Sequence, residues 1–467
     1  MTTDMSAELT GEVCVIGGGL AGITAAVRLA DAGARVTLLE ARRDLGGATY
    51  SFRRGGLTVD TGQHVFLRGY HRYRELLDRL GTAGDTDLQD RFTVPILCPG
   101  QPPHRIVRRR LPAPAHLLPA LAGYRLLRPA ERFAAIRAAA ALRRVDPDDP
   151  ANDEATFGGW LAEHRQSARA VRRLWDLITV AALNIPASYA SLALAARVFR
   201  TGLLDAADAG DIGCSRVPLG DLHGAPARRL LHQLGVRVLT RARAEWVRAD
   251  DGGFRIGVAG SELTADGVIV AVPHRAAAAL VPSAATPDAG GWLRLGSSPI
   301  VNVHLRYAWA VADLGFHNPA FAATIDSPAQ WIFDRSVPEQ DGEQHLVVSL
   351  SAAEEAIGQP GADLIATQRA AIAELFPAAR NTPVRDAFVT REPHATFRQT
   401  PGTRAFRPPA ATCLPGLALA GSWTDTGWPD TMEGAVRSGH AAADVISGHL
   451  ALMREIAARP RQPEAAR

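Results

Sequence analysis

The chain has 467 residues, of which 47% are hydrophobic and 21% charged, with a formal net charge of +3 at pH 7. That length can build a large core in two or more lobes, and the composition is that of an ordinary soluble globular protein. So small a net charge argues against a nucleic-acid binder, and the lack of any lysine excludes Schiff-base or lysine-assisted chemistry.

Residues 1–11 are polar and lack the basic start and apolar core of a secretory signal. Val13-Cys14-Val15-Ile16 then runs as an apolar strand into Gly17-Gly18-Gly19-Leu20-Ala21-Gly22. A helix of about four turns is expected next, and Val36-Thr37-Leu38-Leu39 forms a second strand ending at Glu40. Glycines at 17, 19 and 22 let the backbone turn tightly and approach a pyrophosphate, whose charge sits on the helix N-terminus. Glu40, roughly 20 residues beyond the turn, can accept hydrogen bonds from a ribose. A glycine-rich turn alone is weak evidence. Strand, turn, helix, strand and acid in this order predict a dinucleotide-binding unit.

Asp60-Thr61-Gly62-Gln63-His64 follows, then a helix over Tyr70–Leu80. Residues 90–210 read as helical, with two alanine-, leucine- and arginine-rich stretches separated by the polar linker Asp146–Glu154. Between His104 and Arg144 ten arginines face a single acid, Glu131, with leucines between them. Such a stretch either lies in an anionic membrane interface or forms a solvated arginine face on a core helix. A helix near Ala225–Leu234 and strands near Val236–Leu239, Ala244–Val247 and Phe254–Val258 come next. The longest apolar run, Val268–Val281, is a strand interrupted by Pro273, His274 and Arg275, so no segment is long enough to span a bilayer. Residues 290–400 alternate between strand and helix. Leu417–Gly421 reads as a strand, Met432 to about Leu452 as a helix, and the tail from Arg454 as disordered.

There is no internal repeat. The pattern predicts an α/β fold: a Rossmann-type nucleotide lobe in three pieces (10–88, 215–280 and 401–453) with an inserted α+β substrate lobe. The inserted lobe would comprise a helical, membrane-facing part (89–214) and a sheet (281–400), with 454–467 as the tail. Cys14, Cys98, Cys214 and Cys413 form no CxxC pair, so no metal site or redox pair is expected, only reduced thiols in a cytoplasmic protein, soluble or resting on the inner face of the cytoplasmic membrane.

The far end carries the second motif, Ala420-Gly421-Ser422-Trp423-Thr424-Asp425-Thr426-Gly427-Trp428-Pro429-Asp430-Thr431-Met432-Glu433-Gly434-Ala435. A strand stops at a glycine turn, and a loop leads into a helix whose free N–H groups suit a ring edge that becomes anionic on reduction, as a flavin pyrimidine does. Alone, this segment reads as an ordinary loop and helix. With the N-terminal glycine turn in the same chain, the flavin reading is favoured.

With both ends on the page, the chain resembles the FAD-dependent amine oxidase and phytoene desaturase superfamily over nearly its whole length. Glu40-Ala41-Arg42 with Leu45-Gly46-Gly47 is similar to the segment that binds adenosine ribose and pyrophosphate there, and Ala420–Ala435 is similar to the flavin segment. The resemblance implies FAD and a GR2-like, discontinuous FAD-binding domain. The implied cofactor residues are Gly17, Gly19, Leu20, Ala21, Gly22, Glu40, Ala41, Arg42, Gly46, Gly47, Gly62, Gln63, His64, Ala244, Gly421, Ser422, Met432, Glu433 and Ala435. Two departures stand out. Ala48 replaces an arginine common after the two glycines, and Ser422 replaces the aspartate common after Ala-Gly.

Asp60–His64, Ala181-Ala182-Leu183-Asn184-Ile185-Pro186-Ala187-Ser188 and Thr426–Pro429 look most like the squalene-associated branch, the hydroxysqualene dehydroxylases. That likeness implies an allylic C30 alcohol that loses water with the help of an acid and accepts hydride from reduced flavin. His64 and Asp425 are the candidate acids, because both lie in motifs expected to approach the flavin. Each has a plainer role open to it: His64 orienting its loop, Asp425 binding the cofactor. No second glycine turn with its strand and acid is present, so the unidentified electron donor would not bind through another such unit. The alternative is an isoprenoid desaturase of the phytoene or diapophytoene type, moving hydride the other way. An amine oxidase fits poorly without lysine, and a non-enzymatic prenyl-chain binder fits poorly with both cofactor segments retained.

Overall fold

The computed structural model describes residues 9, 11–250, 252–314, 320–336 and 342–458. Short runs of Val, Ile and Leu, buried on both faces, make strands that sit in the middle of a parallel sheet. These are β1 (Glu12–Ile16), β2 (Arg35–Glu40), β3 (Arg237–Thr240), β4 (Gly267–Val270) and β5 (Leu417–Leu419). Their order is β3-β2-β1-β4-β5, with every pair parallel. Three separated pieces of the chain therefore share one sheet, as the α/β reading requires.

Helix α1 (Leu20–Asp31) has 12 residues, nearer three turns than the four expected. Gly33, at φ 94°, turns the chain out of it. Helices α2 (His71–Leu80), α3 (Ala225–Gln233) and α4 (Met432–Ala458) complete the lobe. At Gly439 a Cβ would strike the Ala21 carbonyl, so α4 lies directly on α1. The expectation of a disordered tail from Arg454 is corrected in part: α4 continues to Ala458, through residues with good helix propensity. Residues 459–467 lie outside the described residues.

The second lobe rests on a seven-stranded sheet. Its order is Val384–Thr396, Ser298–Tyr307, Gln344–Leu350, Trp331–Asp334, Phe321–Thr324, Thr93–Leu97 and His104–Val107. The last two strands correct the all-helical reading of residues 90–210. Val94 and Ile96 are buried while Thr93, Pro95 and Leu97 are only half-buried, a period of two that five residues barely register. The linker Asp146–Glu154 likewise contains a short helix, Pro150–Glu154, capped by Asp149 accepting from the Ala151 N–H at 2.9 Å. One sheet face, with Val301, Val303, Leu305 and Tyr307, packs under helix Gly361–Leu375. The other faces helices whose core includes Phe157, Trp175 and Phe199.

Two polar devices hold the lobes in place. Asn184, at φ 54°, ends helix Asp176–Leu183. Its amide donates to the Ser298 carbonyl and Thr396 Oγ1 at 3.0 and 3.1 Å and accepts from the Ala352 N–H at 2.6 Å. Fully buried Asp211 takes the guanidinium of Arg68 at 2.9 Å and that of Arg108 at 2.6 Å, together with the Phe92 N–H.

Candidate active site

The N-terminal cradle separates glycines needed by the fold from one needed by a ligand. A Cβ at Gly17 would strike the Ala271 carbonyl, and one at Gly22 would strike the Gly17 carbonyl. At Gly19 a Cβ would meet nothing nearer than Gly47 Cα at 3.6 Å. Gly19 opens α1 with no side-chain cap and no acid in the first turn, so the N–H groups of Ala21 and Gly22 have no acceptor among the described residues. Gly46 donates to the Gly18 carbonyl at 2.8 Å, and Gly47, at φ 60°, closes over Gly19.

Buried Glu40 accepts from the Gly18 N–H at 2.8 Å and the Arg42 N–H at 2.7 Å, and each carboxylate oxygen keeps a further lone pair for a ribose hydroxyl. Ala41 is exposed, and the Arg42 guanidinium lies over the Tyr50 ring at 4.7 Å. The chain leaving β3 runs alongside: Ala242 donates to the Glu40 carbonyl and Arg241 to that of Arg42, each at 2.9 Å. Ala244, two residues on, is buried and begins a strand. A pyrophosphate with an adenosine beyond it fits this arrangement of open amides, glycine clearance and a fixed acid.

At the other end Gly421, at φ 139°, donates to Ser438 Oγ at 2.8 Å. Thr431 caps α4, its Oγ1 accepting from the Gly434 N–H at 3.1 Å and its carbonyl from the Ala435 N–H at 2.9 Å. Met432 and Glu433 thus keep N–H groups with no acceptor among the described residues, whereas Ala435 has none to offer. The Glu433 side chain is engaged within the protein. Its buried carboxylate accepts from the N–H groups of Arg72 and Tyr73 at the start of α2 and from Arg437 Nε at 2.7 Å, leaving only its backbone N–H for a cofactor.

Asp425, a candidate acid, lies 3.4 Å from Arg404 Nε and accepts from the Gly427 N–H at 3.3 Å, so it braces the loop. Trp423 is buried against Trp292, with ring centroids 5.1 Å apart, and belongs to the core. The Ser422 hydroxyl bonds the carboxyl of Asp430, which also accepts from the Phe397 N–H at 2.8 Å. Arg407 stands out in neither composition nor spacing. It is buried and donates to the carbonyls of Ser422, Trp423, Thr424 and Trp428 at 2.6–3.3 Å.

His64, Tyr70 and Asp430 keep part of their surface accessible, while burial dominates the titration of each. Tyr70 meets Trp428 edge to face at 5.8 Å, which joins the Gly62–His64 segment to the C-terminal loop. Gly62 and Gln63 are half-buried there. Burial pushes Asp430 above the usual aspartate range and His64 below the usual histidine range, although Gly62 and Asp60 partly counter the latter. His64 Nδ1 lies 3.2 Å from the Gly62 carbonyl and can meet it only as N–H, so Nε2 is left as an acceptor.

One face of the second sheet runs from beside Thr61 into the core of the helical layer. Strand register aligns Thr390, Asn302, Ser349, Trp331, Ala323 and Ile96 across it, with Phe388, His304, Val347, Phe333 and Phe321 in the next row. Chemistry is graded along these rows. At the polar end the Asn302 amide reaches the Thr61 carbonyl at 3.4 Å, and its Oδ1 is buried with no partner among the described residues. His304 and His345 pair at 3.2 Å there, both held neutral by burial. Trp331, Phe333 and Phe321 make the far end apolar.

The family model described as flavin containing amine oxidoreductase matches residues 20–447. The hydroxysqualene dehydroxylase of Rhodopseudomonas palustris is 31% identical over 453 residues, covering 93% of this chain and 98% of that one. The zeta-carotene desaturase of Zea mays is 26% identical, covering 94% and 83%. Cyclohexylamine oxidase from Brevibacterium oxydans superposes with a TM-score of 0.68 at 18% identity, over 94% and 99% of the two chains.

Proposed function

Because the chain belongs to the flavin containing amine oxidoreductase family, we propose that it is a flavin oxidoreductase that converts hydroxysqualene to squalene. FAD is the cofactor. The relatives named hydroxysqualene dehydroxylase support the substrate. The observation that carries the reading is the graded pair of rows, polar beside Thr61 and running through Trp331, Phe333 and Phe321 into the buried core of the helical layer, an apolar setting that suits a long hydrocarbon bearing one hydroxyl at the cofactor end.

Bound reduced flavin would supply the hydride that replaces the hydroxyl, so that alcohol, hydride and proton give hydrocarbon and water. The chain's own residues divide the remaining work. Two groups with protonation pushed in opposite directions mark an acid and an acceptor. Asp430, shifted upward, donates the proton to the leaving hydroxyl. His64, neutral with a free Nε2, accepts the hydroxyl's hydrogen bond and orients it. The apolar rows exclude water from the allylic carbon, and the cap at Thr431 keeps the Met432 and Glu433 N–H groups turned to the cofactor.

Anaerobic incubation of the photoreduced, FAD-loaded protein with hydroxysqualene, followed by gas chromatography, tests this. Squalene should appear as the flavin reoxidises. Conjugated polyenes from squalene or diapophytoene with oxidised flavin would instead assign the protein to the desaturases.

A further inference from the structure

The arginine-rich stretch His104–Arg144 has no part in that site, and the fold divides it. Arg108 is committed to Asp211, Arg132 donates to the Ala122 and Leu127 carbonyls at 2.9 Å, and Arg143 lies 3.8 Å from Asp205. Arg109, Arg110, Arg125, Arg137 and Arg144 have no carboxylate within ion-pair distance among the described residues. Instead of one amphipathic helix, Leu118–Ala122 and Pro129–Leu142 pack together.

The connector between them brings Arg125 to the rim of a cavity of about 290 Å³ lined also by Cys98, Gln101, Arg169, Arg173 and Asp326. Arg173 pairs with Asp326, and Arg169 lies 3.8 Å from Glu131. Both donate to the Leu126 carbonyl, at 2.8 and 3.1 Å, which fixes their guanidinium planes. Three guanidinium groups thus line the cavity against one carboxylate. On the two helices beside it Leu118 is 40% and Phe133 64% exposed, and Leu111 just before them is 43% exposed. Arg137 lies 6.0 Å from the Phe133 ring.

We propose that this cavity binds the phosphate of an anionic phospholipid headgroup while Leu111, Leu118 and Phe133 enter the acyl boundary. Guanidinium pairs phosphate oxygens with directed hydrogen bonds, and apolar side chains rimmed by arginine are the composition of an interfacial surface. The inference is independent of the reaction proposed above, since it requires no substrate.

The test is co-sedimentation of the flavin-loaded full chain with phosphatidylcholine vesicles, with and without phosphatidylglycerol, at low and high salt. Partitioning should require phosphatidylglycerol and weaken with salt. Arg125→Ala should lower the partition coefficient about fivefold and Phe133→Ser about tenfold. Arg237→Ala, exposed on edge strand β3, should leave it unchanged. All three variants should keep wild-type flavin content and melting temperature. Equal binding to both vesicles, or no effect of Arg125→Ala and Phe133→Ser, overturns the proposal. So does stabilisation by inorganic phosphate, lost in Arg125→Ala, without vesicle binding, which would mark a free-phosphate site.

Discussion

Arg407 takes a positive charge into the C-terminal turn, where it donates to four carbonyl oxygens and lies over the Phe397 ring. Arg407→Met would leave those carbonyls buried and unpaired, at about 1–3 kcal/mol for each group not rescued by water. We expect a lower urea midpoint and loss of flavin on gel filtration. Asp430→Asn should lower kcat/KM by about 10²–10⁴. The wild-type rate should fall as pH rises through the elevated Asp430 pKa, since its protonated form is the active one, and the variant should lose that alkaline limb. An unchanged pH–rate profile would remove Asp430 from the chemistry. Asp425, Asp430 and Glu433 look alike in sequence. Folding distinguishes them, placing Arg404 beside the first, burying the second with Ser422 and Phe397, and setting the third against α2.

At the scale of elements, the glycine turn makes a sharper test. Gly19→Ala should leave the apoprotein's melting temperature unchanged but weaken FAD binding at least tenfold by fluorescence titration, because its Cβ occupies only the ligand's space. Gly22→Ala should lower both, since its Cβ collides with the protein's own backbone. Asp211→Asn should destabilise by roughly 3–5 kcal/mol in urea, leaving Arg68 and Arg108 without their buried counter-ion. Elements whose hydrogen bonds or burial are set nearby were legible: β1, α1, β2 and α2 follow from period and punctuation. Thr93–Leu97 was not, because its five residues barely register a period of two and it takes its place in the sheet only between His104–Val107 and Phe321–Thr324. The cradle glycines and Glu40 were legible for the same local reason. Arg407 and the Asn302 row were not, since their meaning lies wholly in partners from other segments.

For the whole molecule, buried histidines set the acid limit. Burial lowers His223 to about 3 and His274 and His345 to about 4, and His304 well below its ordinary value. Unfolded, each takes up a proton near pH 6.5. The unfolded state therefore binds more protons below that pH, so stability is full above about 6.5 and falls as the solution is acidified toward 4. Calorimetry should show the melting temperature dropping through this window, with His345→Gln flattening part of the slope. Strand β5 pairs with β4 although five of the seven strands of the second lobe's sheet lie between them in sequence. During synthesis β1 and β2 emerge first, β4 stays unpaired on one side until β5 follows, and α2 lacks the carboxylate that caps it until Glu433 leaves the ribosome. The C-terminal part of the candidate site is thus completed last, and a chain stalled short of β5 exposes β4, an interior strand of the finished sheet, for chaperones and proteases to recognise.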